Sequence, residues 1–143
     1  MIRLSVPGTL THRDLVLRVV ASSCKLLRSQ QTQEASHADD HSFDNEVVSA
    51  VGEIFNNIAI HGYTGPHRGA VELTIEIDGN RLEVRLADTG KSFDFEAGGE
   101  EVPPSLPESH MGLFIVRSFM DEVRYEAGNG SGRPNVFVLT KRY

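Results

Sequence analysis

Residues 52–63 read Gly-Glu-Ile-Phe-Asn-Asn-Ile-Ala-Ile-His-Gly-Tyr and close a segment with a helical apolar period. Apolar side chains recur there at spacings of three and four, at Phe43, Val47, Val51, Ile54 and Ile58. This spacing predicts a helix that buries the apolar stripe. Glu53 and Asn57 are four residues apart, so they point the same way, beside that stripe. An acid and an amide so placed could orient a nucleophile and hold a divalent cation, which suggests a nucleotide site.

The elements around this helix predict an α+β fold. Strict alternation of apolar and polar residues at 71–77 and 82–86 indicates two strands, and Asp-Gly-Asn between them indicates a hairpin turn. The whole pattern predicts the order β-α-α-β-β-loop-α-β-β, with helices on one face of a largely antiparallel sheet. We therefore predict a two-layer sandwich that forms a single domain over residues 1–143. The other predicted elements are strands at 2–6, 123–126 and 136–140, and helices from Thr11 and from Met111.

Helix starts are predicted from residues that can satisfy free backbone amides. Thr11, followed three residues later by Asp14, resembles a capping box for the first helix. Ser42 can cap the second helix. The third helix is expected to begin at Met111, where a long aperiodic loop ends.

Composition limits the kinds of function that the chain can have. With 143 residues, 39% apolar and 24% charged, it suits one soluble globular domain. A net charge of −6 argues against a nucleic-acid binder, which would present a basic face. No apolar run approaches the roughly 20 residues that cross a bilayer. The single cysteine, Cys24, falls in a helical apolar pattern and is expected in the core. One cysteine cannot form an internal disulfide, so a reducing, intracellular setting is expected.

Two further motifs could serve a nucleotide. Asp88-Thr89-Gly90 ends a predicted strand, where the carboxylate could accept a hydrogen bond from an exocyclic amine and Gly90 could let a flat base approach. Gly112-Leu113 lies where the loop 91–109 enters the third helix, and backbone amides at a helix start suit phosphate. A loop of that length is more often functional or mobile than idle. Each motif alone is common in proteins, and their significance lies in the combination.

Together and in this order, the three motifs resemble those of the GHKL ATPase superfamily, which includes the ATP-binding domains of gyrase, Hsp90, histidine kinases and MutL. More narrowly, the chain is similar to the anti-sigma-factor serine kinases of bacterial partner-switching systems. The resemblance covers nearly the whole chain and implies the Bergerat ATP-binding fold. The stretches that resemble the anti-sigma-factor kinases in particular are residues 60–63, 92–94, 112–116, 120–123 and 135–141.

The resemblance implies a role for each motif. Glu53 would be the general base that orients the attacking hydroxyl group, and Asn57 would ligate Mg²⁺, which takes few protein ligands. Asp88 would accept a hydrogen bond from the amine of adenine, with Thr140 supporting it from the last strand. The reaction would be transfer of the γ-phosphoryl group of ATP to a serine or threonine.

Further nucleotide contacts are implied on either side of the predicted lid, residues 95–110. His110 takes the place where the family usually has the first glycine of a Gly-x-Gly pair. Its side chain could crowd the triphosphate or contact a phosphate. We expect this change to affect catalytic turnover more than nucleotide binding. The residues implied in nucleotide contact are Gly90, Phe93, His110, Gly112 and Leu113.

The implied partners are a sigma factor, which the protein would sequester, and a small antagonist protein, which it would phosphorylate. The resemblance also implies a homodimer in the cytoplasm, with no membrane or direct nucleic-acid contact. One alternative is a non-catalytic module that binds these partners, with or without nucleotide. A second is the ATP domain of a histidine kinase, which would need a phosphoacceptor helical hairpin before the first strand. A third is an α+β domain without a nucleotide site.

Overall fold

Within the residues that the structure describes, three α-helices pack on a five-stranded antiparallel sheet, whose strand order is β1-β2-β3-β5-β4. The computed structural model describes residues 1–31, 40–66, 68–93, 108–130 and 132–143. The predicted α+β sandwich is confirmed. The strands are β1 (Ile2–Pro7), β2 (Ala70–Asp78), β3 (Arg81–Asp88), β4 (Glu122–Glu126) and β5 (Asn135–Arg142), and the helices are α1 (Arg13–Gln30), α2 (Asp40–Asn57) and α3 (Glu108–Phe119).

The core lies between the helices and one face of the sheet. On β3 the side chains of Leu82, Val84 and Leu86 are fully buried, whereas Arg85 between them is exposed. This is the period of two that a half-covered strand requires. The apolar stripe of α2 predicted from its spacing is buried against that face. Cys24 of α1 is also fully buried, and burial raises the pKa of its thiol to about 12.

The predicted helix starts are wrong in detail. A 3₁₀ turn, Leu10–His12, precedes α1, which begins at Arg13 without a side-chain cap. The second helix begins at Asp40, and the Ser42 hydroxyl donates to Glu46 Oε1 at 3.3 Å instead of capping a free amide. The ends therefore depend on local contacts that the apolar period does not contain. Among the described residues, no helix combines the length and apolar character needed to cross a bilayer.

The second helix does not stop at its last α-helical residue, because α2 continues into a π-helical turn, Ile58–Gly62. The Tyr63 amide closes this turn by donating to Ile58 O at 3.1 Å. The Tyr63 hydroxyl then donates to Ala70 O at 2.7 Å and accepts from the Thr89 amide at 2.9 Å. The end of the helix is thereby tied to β2 and to the residue that follows Asp88.

The ring of Tyr63 fits only because Gly69 beside it lacks a side chain. A Cβ at Gly69 would lie 2.7 Å from Tyr63 Oη and 2.8 Å from its Cε1. We expect Gly69→Ala to lower the free energy of unfolding by about 1–3 kcal/mol. The Tyr63 ring cannot move away from the added methyl group, because its hydroxyl group is held by hydrogen bonds with Ala70 and Thr89. Urea denaturation measures this change.

Gly65→Ala is the matched control, since nothing lies within 4 Å of a Cβ built there. Its free energy of unfolding should stay within about 0.5 kcal/mol of the wild type. Equal destabilisation by the two substitutions would contradict this role for the Tyr63 ring.

Candidate functional site

A cavity of about 380 Å³ opens beside the π-helical turn and the end of β3. Its volume falls in the range of roughly 300–1,000 Å³ that small-molecule sites commonly occupy. Three residues predicted for the site, Asn57, Asp88 and Phe93, line this cavity. His61 and Lys91 line it too, and both can carry positive charge. The first two of the three sequence motifs are thus brought together around one concave space.

Asp88 places a buried carboxylate in the wall of the cavity. The residue is 4% exposed, and its Oδ1 accepts hydrogen bonds from the Gly90 amide at 2.9 Å and from Asn135 Nδ2 at 3.1 Å. Burial raises the pKa of the Asp88 carboxyl group, while these two hydrogen bonds act in the opposite direction. Its Oδ2 has no hydrogen-bond partner within the part of the chain that the structure describes. One carboxylate oxygen therefore remains available to a ligand.

Asn135 supports this carboxylate, and sequence analysis missed it. The residue is 2% exposed, and its Nδ2 also donates to Gly90 O at 2.9 Å. Its Oδ1 accepts from Ser92 Oγ at 2.8 Å and from the Gly128 amide at 2.7 Å. One carboxamide thus joins the end of β3, the segment that follows it and the β4–β5 connection.

Thr140 does not support Asp88, and that prediction is wrong. Asp88 pairs with Asn135 across β3 and β5, whereas Thr140 pairs with Glu83 near the other end of the strands. Because five residues separate Asn135 from Thr140, their side chains also point to opposite faces of the sheet. The Thr140 hydroxyl accepts a long hydrogen bond, 3.5 Å, from Arg81 on the face away from the helices.

Gly90 is required by a contact within the protein. A Cβ there would lie 2.5 Å from the carbonyl oxygen of Gly62 and 2.7 Å from its carbonyl carbon. The neighbouring Lys91 amide donates to the same oxygen at 2.8 Å. The space that a Cβ would occupy is therefore filled by the π-helical turn, and the approach of a base to the Gly90 backbone stays a prediction. This close contact fixes the turn against the Asp88 segment.

Asn57 lines the cavity and carries a buried, unsatisfied amide nitrogen. The residue is 8% exposed, and its Nδ2 is buried without a hydrogen-bond partner among the described residues. A buried donor without a partner lowers the free energy of unfolding by about 1–3 kcal/mol. A ligand that accepts from it would recover this energy. A carboxamide also offers an oxygen, the ligand type that Mg²⁺ prefers. The described residues contain no group of three or more His, Cys, Asp or Glu side chains that could hold a metal. A cation here would therefore depend on phosphate and water for its other ligands.

Glu53 lies one helical turn before Asn57 and is covered by α3. A Cβ at Gly112 would lie 2.6 Å from Glu53 Oε2, so this glycine allows the third helix to rest on the carboxylate. Glu53 is partly buried and lies outside the described lining of the cavity. The structure thus places the predicted base beside the site and under a helix.

The third motif does not lie at a helix start, contrary to our prediction. Because α3 already begins at Glu108, the amides of Gly112 and Leu113 fall after the first four residues, whose amides are free at a helix start. Leu113 is fully buried in the core.

Part of the prediction concerns residues outside the described ones. The predicted lid, residues 95–110, falls outside them except for the backbone of its last three residues in α3. The side chain of His110 is outside them as well. Phe93, at the near edge, is described: its amide donates to the Tyr125 hydroxyl at 2.8 Å.

A sequence model described as "histidine kinase-like ATPase domain" matches residues 6–140. The chain therefore belongs to this family, and the resemblance predicted from its motifs is confirmed. The match includes the three helices and β2, β3 and β4 in full, the end of β1 and most of β5, and it covers every described residue that lines the cavity.

Among curated proteins, the chain is similar to the serine-protein kinase RsbW of Bacillus velezensis, with 33% identity over 89 residues, covering 57% of this chain and 56% of that protein. RsbW of Bacillus subtilis is 34% identical over 89 residues, with the same coverage of 57% and 56%. The anti-sigma F factor of Clostridium beijerinckii is 36% identical over 93 residues, covering 61% and 65%. The aligned part thus spans little more than half the length of the RsbW relatives.

The raised pKa of Asp88 predicts how stability changes with pH. A carboxyl group whose pKa is higher in the folded than in the unfolded state stabilises the fold as it takes up a proton. Relative to Asp88→Asn, which does not titrate, the wild type should therefore gain unfolding free energy as pH falls from 7 through the folded pKa. The gain should level off below the unfolded value of about 3.9.

Urea denaturation of both proteins between pH 7 and 4 measures this difference. The comparison with Asp88→Asn removes the contribution of the other carboxyl groups, which the two proteins share. A difference that shrinks as pH falls would mean that hydrogen bonds, and not burial, dominate the pKa of Asp88.

Proposed function

We propose that this protein is a Mg·ATP-dependent serine/threonine protein kinase of the anti-sigma-factor type. The observation that carries the proposal is one cavity lined by both Asp88 and Asn57. Among the described residues, Asp88 Oδ2 has no hydrogen-bond partner and can accept from a base. The carboxamide of Asn57 has an oxygen that can ligate Mg²⁺. Membership of the histidine kinase-like ATPase family supports ATP as the ligand.

The binding residues would divide the nucleotide between them. Asp88 would accept from the amine of adenine, and Phe93 would contact the ligand from the cavity wall. Lys91 would attract the phosphates by its charge, and His61, which also lines the cavity, would donate a hydrogen bond to them. Asn57 would hold Mg²⁺, which supplies neutralisation of charge on the phosphate oxygens.

In the chemical step, Glu53 would act as general base. Its carboxylate would accept the hydroxyl proton of a serine or threonine while that oxygen bonds to the γ-phosphorus. The bond to the β–γ bridging oxygen would break, and ADP would leave. Since phosphoryl transfer depends mainly on positioning and charge, few catalytic groups are needed. For Glu53 to reach the substrate, its contact with α3 at Gly112 must loosen.

The names of the relatives support the choice of partners. Two are called serine-protein kinase and one anti-sigma F factor. By analogy, this protein would sequester a sigma factor and phosphorylate a small antagonist protein in the cytoplasm, acting as a homodimer. A net charge of −6 suits basic protein surfaces better than nucleic acid.

The kinase step is tested by Glu53→Gln. Phosphate transfer from γ-labelled ATP to protein, in an extract of the cells that contain this kinase, should fall by about 10²–10⁴-fold because a general base is lost. Affinity for Mg·ATP, measured by calorimetry, should be retained because Glu53 lies outside the cavity lining. Phosphoserine or phosphothreonine identified by mass spectrometry gives the acceptor, and equal labelling by both proteins would overturn the role of Glu53.

A second function, binding without turnover, is favoured by one observation: α3 rests on Glu53 through Gly112. If this contact persists with nucleotide bound, the base stays covered and the protein only binds its partners. Calorimetry that detects ATP binding, together with no labelled acceptor at any protein concentration, would support this alternative over the kinase.

Asn57→Leu tests whether the unsatisfied amide lowers the stability of the fold and whether the carboxamide contributes to Mg·ATP binding. Leucine has a similar shape and no polar atoms, so the free energy of unfolding should stay equal or rise by about 1 kcal/mol. Binding of Mg·ATP should weaken by at least tenfold, while binding of ATP in excess EDTA should change little. Circular dichroism melts and calorimetry measure the two effects. A large loss of stability would mean that the amide has a structural partner.

A further inference from the structure

The π-helical turn changes the hydrogen-bond partner of one backbone carbonyl. In a regular α-helix the Tyr63 amide would donate to the carbonyl four residues earlier, which belongs to Ala59. In this protein it donates to Ile58 O, five residues earlier, at 3.1 Å. The Ala59 carbonyl therefore loses the donor that α-helical geometry would supply. Because Ala59 is only 2% exposed, leaving this carbonyl without a donor would be unfavourable.

Arg68 supplies a donor to this carbonyl from the connection between the turn and β2. Its Nη1 donates to Ala59 O. A guanidinium group is always charged and can only donate, so the bond is charge-assisted and stronger than one between neutral groups. A cation is also favourable near the last carbonyls of a helix, where the peptide dipoles leave negative partial charge. Arg68 thereby stabilises the π-helical form of the turn over an α-helical form.

The form of the turn matters to the cavity because two residues of the turn, His61 and Gly62, line it. Gly62 O accepts from the Lys91 amide at 2.8 Å, and a Cβ at Gly90 would lie 2.5 Å from the same oxygen. An α-helical turn has smaller hydrogen-bonded rings and would rotate both residues relative to β3. These contacts with the segment after Asp88 would then be lost.

We propose that Arg68 is a positioning residue that selects the π-helical form of the turn and thereby places His61 and Gly62 in the wall of the cavity. For its effect on nucleotide binding, the inference rests on the proposed function. Its effect on the turn requires no ligand. Arg68 is not among the described residues that line the cavity, so it acts through the turn and not by touching the nucleotide.

Other contacts hold the turn without making this choice. The Tyr63 hydroxyl fixes the aromatic ring on the sheet through Ala70 and Thr89. The contact of Gly62 with Lys91 fixes the end of the turn. Neither contact acts on the carbonyl whose donor differs between the two forms. Loss of the guanidinium group should therefore change the balance between the forms without removing a group from the cavity wall.

The form of the turn can be measured by NMR without nucleotide. A scalar coupling across a hydrogen bond links an amide nitrogen to the carbonyl carbon that accepts from it. In wild type, the Tyr63 nitrogen should couple to the carbonyl carbon of Ile58. Arg68→Met keeps an unbranched side chain but has no donor. In this variant the coupling should be replaced by one to the carbonyl carbon of Ala59, and an unchanged coupling to Ile58 would overturn the inference.

Two further variants separate the donor from the shape and the charge of the side chain. Arg68→Lys should keep the wild-type coupling, because an ammonium group can also donate to a carbonyl. Arg18→Met removes the same charge from α1, where the side chain is 79% exposed and pairs with Asp14 at 2.8 Å, so it should leave the coupling unchanged. Loss of the Ile58 coupling in Arg68→Lys as well as in Arg68→Met would contradict the role of the donor.

Calorimetry then tests the connection between the turn and the cavity. Mg·ATP should bind Arg68→Met about tenfold more weakly than wild type, because only a fraction of the molecules retains the competent turn. Arg68→Lys and Arg18→Met should bind like wild type. A coupling that moves to Ala59 without any loss of affinity would overturn this connection. Wild type that binds no Mg·ATP would overturn the proposed function instead, and the coupling would still report whether Arg68 selects the turn.

Discussion

A carboxylate that is buried in the wall of a cavity stays ionised only when hydrogen-bond donors at fixed positions stabilise its negative charge. In this protein Asn135 supplies such a donor to Asp88, and the same carboxamide makes three further hydrogen bonds to segments that meet at the cavity. Asp88 ends β3 and Asn135 begins β5, so this contact also closes the register of the two strands. The site and the sheet thus share one interaction, and disturbing either would disturb the other.

The architecture could be predicted from sequence because backbone geometry imposes it. Alternation along β2 and β3 and the three-to-four spacing along α2 leave little choice of element or buried face. The helix starts could not be predicted in the same way. Thr11 and Ser42 are suitable capping residues by type, but neither caps a helix, because the surrounding contacts decide which residue does. Contacts such as that of Ser42 with Glu46 are not marked by the apolar period.

The site was predictable where a motif carries its own chemistry, as at Asn57 and Asp88. Asn135 was missed because the four residues that follow it, 136–139, are all apolar. Without alternation of apolar and polar residues, the sequence does not indicate which side chains of this strand face the helices. Choosing Thr140 by its hydroxyl group therefore selected the wrong face of β5. Gly112 was misplaced for a related reason. The start of α3 at Glu108 lies in a stretch without apolar periodicity, so its first turn could not be recognised.

The π-helical turn at Ile58–Gly62 holds one residue more than a regular helical turn would. A regular α-helix over the same residues would turn by about 100° at each of them and would point Tyr63 in another direction. Tyr63 would then lose both Ala70 and Thr89, and Gly62 would leave Gly90. The wider turn therefore sets the direction in which the chain leaves the helix, and through it the docking of Gly62 and Tyr63 on the sheet.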